Sequence, residues 1–242
     1  MREGRGPVVP LISQGLLSRR VYRMGDGMKV VPARAGAVGF DTDSPLTASL
    51  CESLIGQGYE FAIRYVSHTQ PEAGDLSPAE VQAILGSGLA LMVVVHSPAP
   101  GWAPRGVAGA EHATWAVSNL EGAGLRAVGA MTVWCDLEGV LPGTPASDII
   151  DYVNTWTVGI RAAGYQPGLY VGYDAFLTGS QLYVDLYLAR YWKSASAVPT
   201  PALRGFCMTQ MLGAGPMVAA VQIDRDVIQA DRLGGLPMWL VA

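Results

Sequence analysis

The sequence predicts an α/β protein built as a single (β/α) TIM-like barrel, irregular in its last strands and preceded by an N-terminal extension. Three observations carry that reading. After Gly36, short apolar runs alternate with segments of helical spacing, the pattern of βα units around a parallel sheet. Six to eight such runs can be counted, which favours closure into a barrel. The chain has 242 residues, 50% of them hydrophobic, enough for one sizeable core. A doubly wound open sheet is the alternative. It would usually carry a glycine-rich phosphate loop after its first strand, whereas here that strand runs into Gly39-Phe40-Asp41-Thr42-Asp43.

Taken in order, Val38 to Asp41 reads as the first strand, and Leu46 to Gly58 as a helix with a glycine stop. Glu60 to Val66 is the second strand. Ser77 then supplies an N-cap, Pro78 the first helical position and Glu80 the acid of a capping box, in a helix that ends near Gly86 to Gly88. Leu89 to His96 is the third strand, Gly109 to Gly124 a helix, Ala130 to Leu137 the fourth strand and Ser147 to Gly164 a long helix. Gly168 to Gly172, Leu186 to Tyr191, Phe206 to Met211 and Val221 to Ile223 supply strands five to eight, with a short helix from Asp174 to Leu182. The barrel domain is thus residues 36–242, and residues 1–35 form an arm.

Composition excludes several functions. Every apolar run falls short of the roughly 18 residues a bilayer crossing needs. Charge is split: residues 1–35 hold seven basic and two acidic groups, a net +5, against −9 on the remainder. An acidic body with a single lysine and no aromatic and basic interleaving argues against nucleic-acid binding. The arm could instead dock on its own body, on an anionic polymer or on a protein partner or larger particle. Ser18-Arg19-Arg20-Val21-Tyr22-Arg23 has the look of a twin-arginine export signal, but Gly25, Asp26, Gly27 and Lys29 follow where an apolar stretch is required. We therefore expect no signal peptide and synthesis in the cytoplasm. Cys51, Cys135 and Cys207 lie far apart without metal-ligand spacing and read as buried thiols. His68 and His112 show no pairing, and His96 reads as a satisfied loop histidine.

In a βα barrel the polar residues at the C-terminal strand ends form the open mouth. The fourth strand delivers Asp136 and Glu138 there, two apart and therefore on one face, and close carboxyls can take different protonation states. Solvated loop acids would show the same Asp-x-Glu spacing. Asp41, Arg64, Trp134, Tyr173, Arg190, Gln210 and Asp224 complete the set. Converging acids with aromatic rings describe a sugar site, since carboxylates serve as acid and base and rings stack on pyranose faces. Arg64 and Arg190 equally suit a structural role, neutralising buried carboxylates.

At these positions the chain resembles the glycoside hydrolase family 25 lysozymes. The matching segments, in order, are Gly39-Phe40-Asp41, Asp136-Leu137-Glu138, Gly168-Leu169-Tyr170-Val171, Leu186 to Tyr191, Gln210, and Ile223-Asp224-Arg225-Asp226. It is more similar still to a related bacterial glycoside-hydrolase-like domain of unknown function, through Arg64-Tyr65 and Leu76 to Glu80. The likeness spans about residues 36 to 242. It implies a flattened barrel that cleaves the β-1,4 bond after N-acetylmuramic acid in peptidoglycan, without metal or cofactor. Glu138 would be the general acid, and Asp136 would orient the substrate acetamido group, whose carbonyl acts as nucleophile. Asp41 and Asp224 would set the field of the groove and bind sugar or water. Where those lysozymes tend to show Trp-Gln-Tyr, this chain has Thr209-Gln210-Met211, so two stacking walls are missing. That departure keeps a non-catalytic glycan-binding barrel open as the alternative, beside a structural or cargo subunit of a phage-like or secreted particle. Either way the place of action is expected at the cell wall or outside the cell.

Overall fold

A computed structural model describes residues 27–126, 129–212, 217, 218 and 221–242. Eight strands close into a barrel. Seven run parallel in chain order: β2 (Val38–Thr42), β3 (Phe61–Val66), β4 (Ala90–Val95), β5 (Thr132–Leu137), β6 (Gln166–Val171), β7 (Tyr191–Lys193) and β8 (Met208–Gln210). The eighth, β11 (Asp224–Ile228), closes the ring antiparallel to both β8 and β2. Outside the ring, β1 (Lys29–Pro32) pairs with β12 (Met238–Val241), which adds to β4. Two-residue strands β9 (Met217–Val218) and β10 (Val221–Gln222) form a separate ribbon. The described part of the arm, residues 27–35, therefore lies on the barrel, and Ala33 is buried in its interior cluster.

The helices are α1 (Ala48–Gly56), α2 (Pro78–Ser87), α3 (Gly106–Gly122), α4 (Ala146–Ala162) and α5 (Gly179–Val184). Local chemistry sets their ends. Ser77 Oγ accepts from the Glu80 amide at 3.2 Å, Pro78 opens α2, and Gly88 closes it in the left-handed region at φ 99°. The Glu80 side chain makes no capping box there; it turns inward to Arg64 and the Leu46 amide. The complete box lies instead at α5, between Thr178 and Gln181. Helices α3 and α4 pack closely because a Cβ at Gly109 would lie 2.2 Å from the Tyr152 carbonyl oxygen.

Alternation divides the strand side chains into two cores. Phe61, Ile63, Met92, Val94, Trp134, Trp192 and Met208 fill the barrel interior, while Phe40, Ala62, Leu91, Val133 and Leu169 face the helices.

Three late strands differ from expectation. Leu186 to Leu188 is not sheet: Asn154 of α4 donates to the Asp185 carbonyl and accepts from the Tyr187 amide, both at 2.8 Å, taking up backbone groups a ladder would need. The strand starts only at Tyr191. The seventh shrinks to Met208–Gln210. The eighth is Asp224–Ile228, not 221–223, and its direction is reversed. A parallel neighbour needs a long crossover, usually helical, and the described residues between β8 and β11 carry only the short strands of the ribbon.

Candidate active site

The reversal of β11 matters at the mouth. Asp224 opens its strand, yet pairs directly with Asp41, which lies near the end of β2, so both acids stand at the same end of the barrel. There a cleft of about 340 Å³ is lined by Asp41, Asp43, Tyr65, His96, Ser97, Asp136, Glu138, Gln222 and Asp224. Glu138 fits because the backbone just past β6 carries Gly172: a Cβ there would fall 2.3 Å from the Glu138 Cβ.

Each acid sits in a different environment. Asp41 accepts from Tyr65 Oη at 2.9 Å on one oxygen and from Gln210 Nε2 at 2.8 Å on the other. Burial lifts its pKa to about 6 against those bonds, with Asp224 adding repulsion. Asp136 is 6% exposed; Ser97 N donates to its Oδ2 at 3.4 Å, and its Oδ1 is buried without a partner. Burial, then Glu138, raises its pKa well above the usual carboxylate value. Burial, then Asp41, raises Glu138. One wall is flat, formed by Tyr65 stacked on His96 at 4.3 Å between ring centroids. Burial lowers the His96 pKa, favouring the neutral imidazole.

Of the nine residues expected from sequence, Asp41, Asp136, Glu138 and Asp224 meet in the cleft. Tyr173 stands at the rim, 41% exposed, and among the acids Glu138 acts most strongly on its hydroxyl. Gln210 lies behind Asp41 and holds it; Tyr170 Oη and the Ala195 amide donate to Gln210 Oε1, which turns its Nε2 toward the acid. Three residues do not reach the cleft. Arg64 alternates with Tyr65, so it faces outward and is wholly buried under α2, bound to Glu80 and to the carbonyls of Thr42 and Gly74. Trp134 faces inward but one layer, about 6.6 Å, below Asp136, edge-on to Trp192. Arg190 precedes β7, at the barrel end opposite the mouth, where its Nε donates to the Leu236 carbonyl at 2.7 Å.

Sequence reading passed over Tyr65 and Asp226. Asp226 is two residues beyond Asp224, and so shares its inward face in the same way that Glu138 shares that of Asp136. His68 and His112, scattered in sequence, meet at 4.7 Å between ring centroids, and His112 Nδ1 bonds Tyr152 Oη at 3.0 Å.

The chain's closed barrel is glycoside-hydrolase-like, with a fold resembling lysozymes and muramidases. The chain is a member of the Rv2525c-like, glycoside hydrolase-like domain family, whose model matches residues 52–224. Among solved structures, the Tat-secreted protein Rv2525c of Mycobacterium tuberculosis, crystallised with L-tartrate, superposes with a TM-score of 0.59 at 18% identity, over 81% of this chain and 96% of that one. The bacterial lysozyme of Streptomyces coelicolor gives a TM-score of 0.54 at 14% identity, over 81% of this chain and 93% of that one. A muramidase from Trichobolus zukalii gives 0.56 at 13%, over 79% and 93%. At these identities the likeness establishes the fold. A search of curated proteins found no match.

Proposed function

We propose that the chain is a cell-wall glycan hydrolase that cleaves a β-1,4 bond next to an N-acetylated sugar, with peptidoglycan as substrate. The observation that carries this reading is the cleft itself: five acids line it, and one of them, Asp136, offers a buried oxygen with no partner. A buried acceptor left open costs about 1 to 3 kcal/mol, a cost that an incoming donor removes. The amide N–H of a 2-acetamido group is such a donor. Bound there, it would turn its carbonyl oxygen toward the anomeric carbon. Glu138, whose pKa burial raises, donates its proton to the glycosidic oxygen as that bond breaks and the carbonyl oxygen bonds the anomeric carbon. Water then opens the cyclic intermediate, giving its proton to the Glu138 carboxylate. Asp41 and Asp224 stabilise the positive charge that develops on the sugar ring.

The deciding experiment is reducing-sugar release from purified peptidoglycan by wild type and Glu138→Gln, with mass spectrometry of the new ends. Loss of a general acid should cost about 100-fold or more. No release by wild type, with both proteins still sedimenting on the polymer, would overturn catalysis and favour a glycan-binding barrel. That second reading draws support from β8, where Thr209 and the exposed Met211 stand in place of rings that would stack on sugar.

Action outside the cytoplasm is supported by the Tat-secreted relative; the Ser18 to Arg23 segment lies outside the described residues. The five arginines among residues 1–26 fit a docking peptide for an anionic or particle-borne partner. Deleting residues 1–26 spares β1, and unchanged capture by the partner would exclude that role.

A further inference from the structure

Below the cleft lies a carboxyl that the proposed chemistry does not use. Asp226 is fully buried inside the barrel, on the inward face of β11, in register with Gly39 on one side and Gln210 on the other. Its Oδ1 accepts from Trp192 Nε1 at 2.9 Å. Its Oδ2 is buried and meets no donor. The group it does face is Asp41, which stands on the neighbouring strand two residues beyond its register partner Gly39 and acts on it electrostatically.

Two carboxyls in contact away from water cannot both be ionised, so they hold a proton between them. The surrounding donors decide which one carries it. Asp41 receives a donor on each oxygen, from Tyr65 and from Gln210, and the Gln210 amide cannot turn over because two further donors occupy its Oε1. A carboxylate is stabilised by that arrangement. Asp226 receives one donor, on Oδ1, and its other oxygen has nothing to accept. An O–H at that atom would satisfy both residues at once.

We propose that Asp226 is a neutral carboxylic acid whose O–H donates to Asp41, a positioning residue that fixes Asp41 as the charged member of the pair beneath the cleft. Three donors, from β3, β8 and β11, then aim Asp41 at the mouth. The shifts agree: burial, then Asp41, raises the Asp226 pKa well above the usual carboxylate value, while the bond from Asp226 pulls Asp41 down. The proposal rests on the functional reading only in treating Asp41 as part of the substrate cleft.

Asparagine copies the neutral acid atom for atom, with Oδ1 accepting from Trp192 and Nδ2 donating to Asp41. Alanine removes the donor. The test is a carbon-detected NMR titration of side-chain carboxyls in the full chain, for wild type, Asp226→Asn and Asp226→Ala. The groups facing the pair are Tyr65, Tyr170, Trp192, Gln210, Asp224, Asp136 and Glu138, and all are kept. In wild type the Asp226 carboxyl should stay protonated through neutral pH while Asp41 titrates near about 6. Asp226→Asn should move the Asp41 midpoint by less than about half a pH unit, and Asp226→Ala should raise it by about one unit. An ionised Asp226 at neutral pH overturns the proposal. So does a fall of more than about one unit in the Asp41 midpoint in Asp226→Asn, the signature of a removed charge. Should the alanine variant fail to fold, wild type and Asp226→Asn decide the matter. Because the titration uses no substrate, failure to cleave glycan leaves it intact. If cleavage is found, Asp226→Asn should keep the wild-type pH profile and Asp226→Ala should shift its acidic limb upward.

Discussion

Gly172 does for Glu138 what no polar contact does: it leaves room. The glycine belongs to the backbone directly across from Glu138, where an added methyl would meet both its Cβ and its Oε2. Interiors are packed densely enough that such a clash moves the smaller or freer group, here the carboxyl at the end of the strand. Gly172→Ala is therefore expected to fold and to displace Glu138. Peptidoglycan cleavage should fall by about 100-fold, the scale of losing a positioned general acid, with the melting temperature lowered only modestly. Unchanged turnover in this variant would show that the carboxyl need not sit where Gly172 allows it. Position also separates the aromatic residues. Tyr65 and Trp134 both point inward, but Tyr65 faces the cleft and Trp134 the barrel floor.

Elements are joined by polar staples as well as by apolar packing, and the strongest ties α2 to β3. Arg64 and Glu80 are both almost fully buried, and Arg64 also bonds the backbone at Thr42 and Gly74, so one guanidinium links β2, β3, the loop after β3 and α2. Removing one partner of a buried pair leaves a charge without compensation, at a cost of about 3 to 5 kcal/mol. Glu80→Ala should lower the melting temperature by about 6 °C or more, a loss read by calorimetry, while leaving the cleft acids in place. Comparable stability would mean that water solvates Arg64 after all. The same staple shows what the sequence could convey. Capping residues, glycine stops and the alternation of βα units located the first five barrel strands to within a few residues, because each is an independent local signal. The seventh was drawn too long, and the sixth and eighth were misplaced; for the sixth the limit is tertiary, since Asn154 reaches from α4 to take the backbone of residues 185 and 187. Asp136, Glu138 and Asp41 were legible as strand-end acids. Arg64 was misread as a cleft residue although alternation with Tyr65 sends one of the two outward, and Arg190 followed from the misplaced sixth strand.

Across the whole molecule, the site imposes a cost that pH should reveal. Asp41, Asp136, Glu138 and Asp226 all have raised pKa values in the folded state, chiefly through burial. At these four acids the folded protein therefore binds more protons than the unfolded chain above about pH 4. Each acid's favourable contribution is full below its unfolded value and is lost as pH rises through its folded one. The histidines act in the opposite sense. Burial lowers His68, His96 and His112, the last to about 4, so folding gains stability from them as pH rises to about 6.5 and nothing beyond. Asp231, with a lowered value, matters only at still lower pH. The two sets offset one another between about pH 4 and 6.5. Above that window the two separate acids held well above the usual range, Asp136 and Asp226, are left, and each one that is protonated in the folded state removes about 1.4 kcal/mol of stability per pH unit. The melting temperature should accordingly fall by about 3 to 5 °C per unit for each such group between about pH 6.5 and 8. Asp136→Asn should flatten that slope and raise the melting temperature at pH 8, as expected when function rather than stability has placed an acid. A melting temperature that climbs across the same interval would mean that these carboxyls are already ionised and solvated at neutral pH. Asp136 would then meet the substrate as an anion, and Asp226 could not be the neutral donor proposed for Asp41.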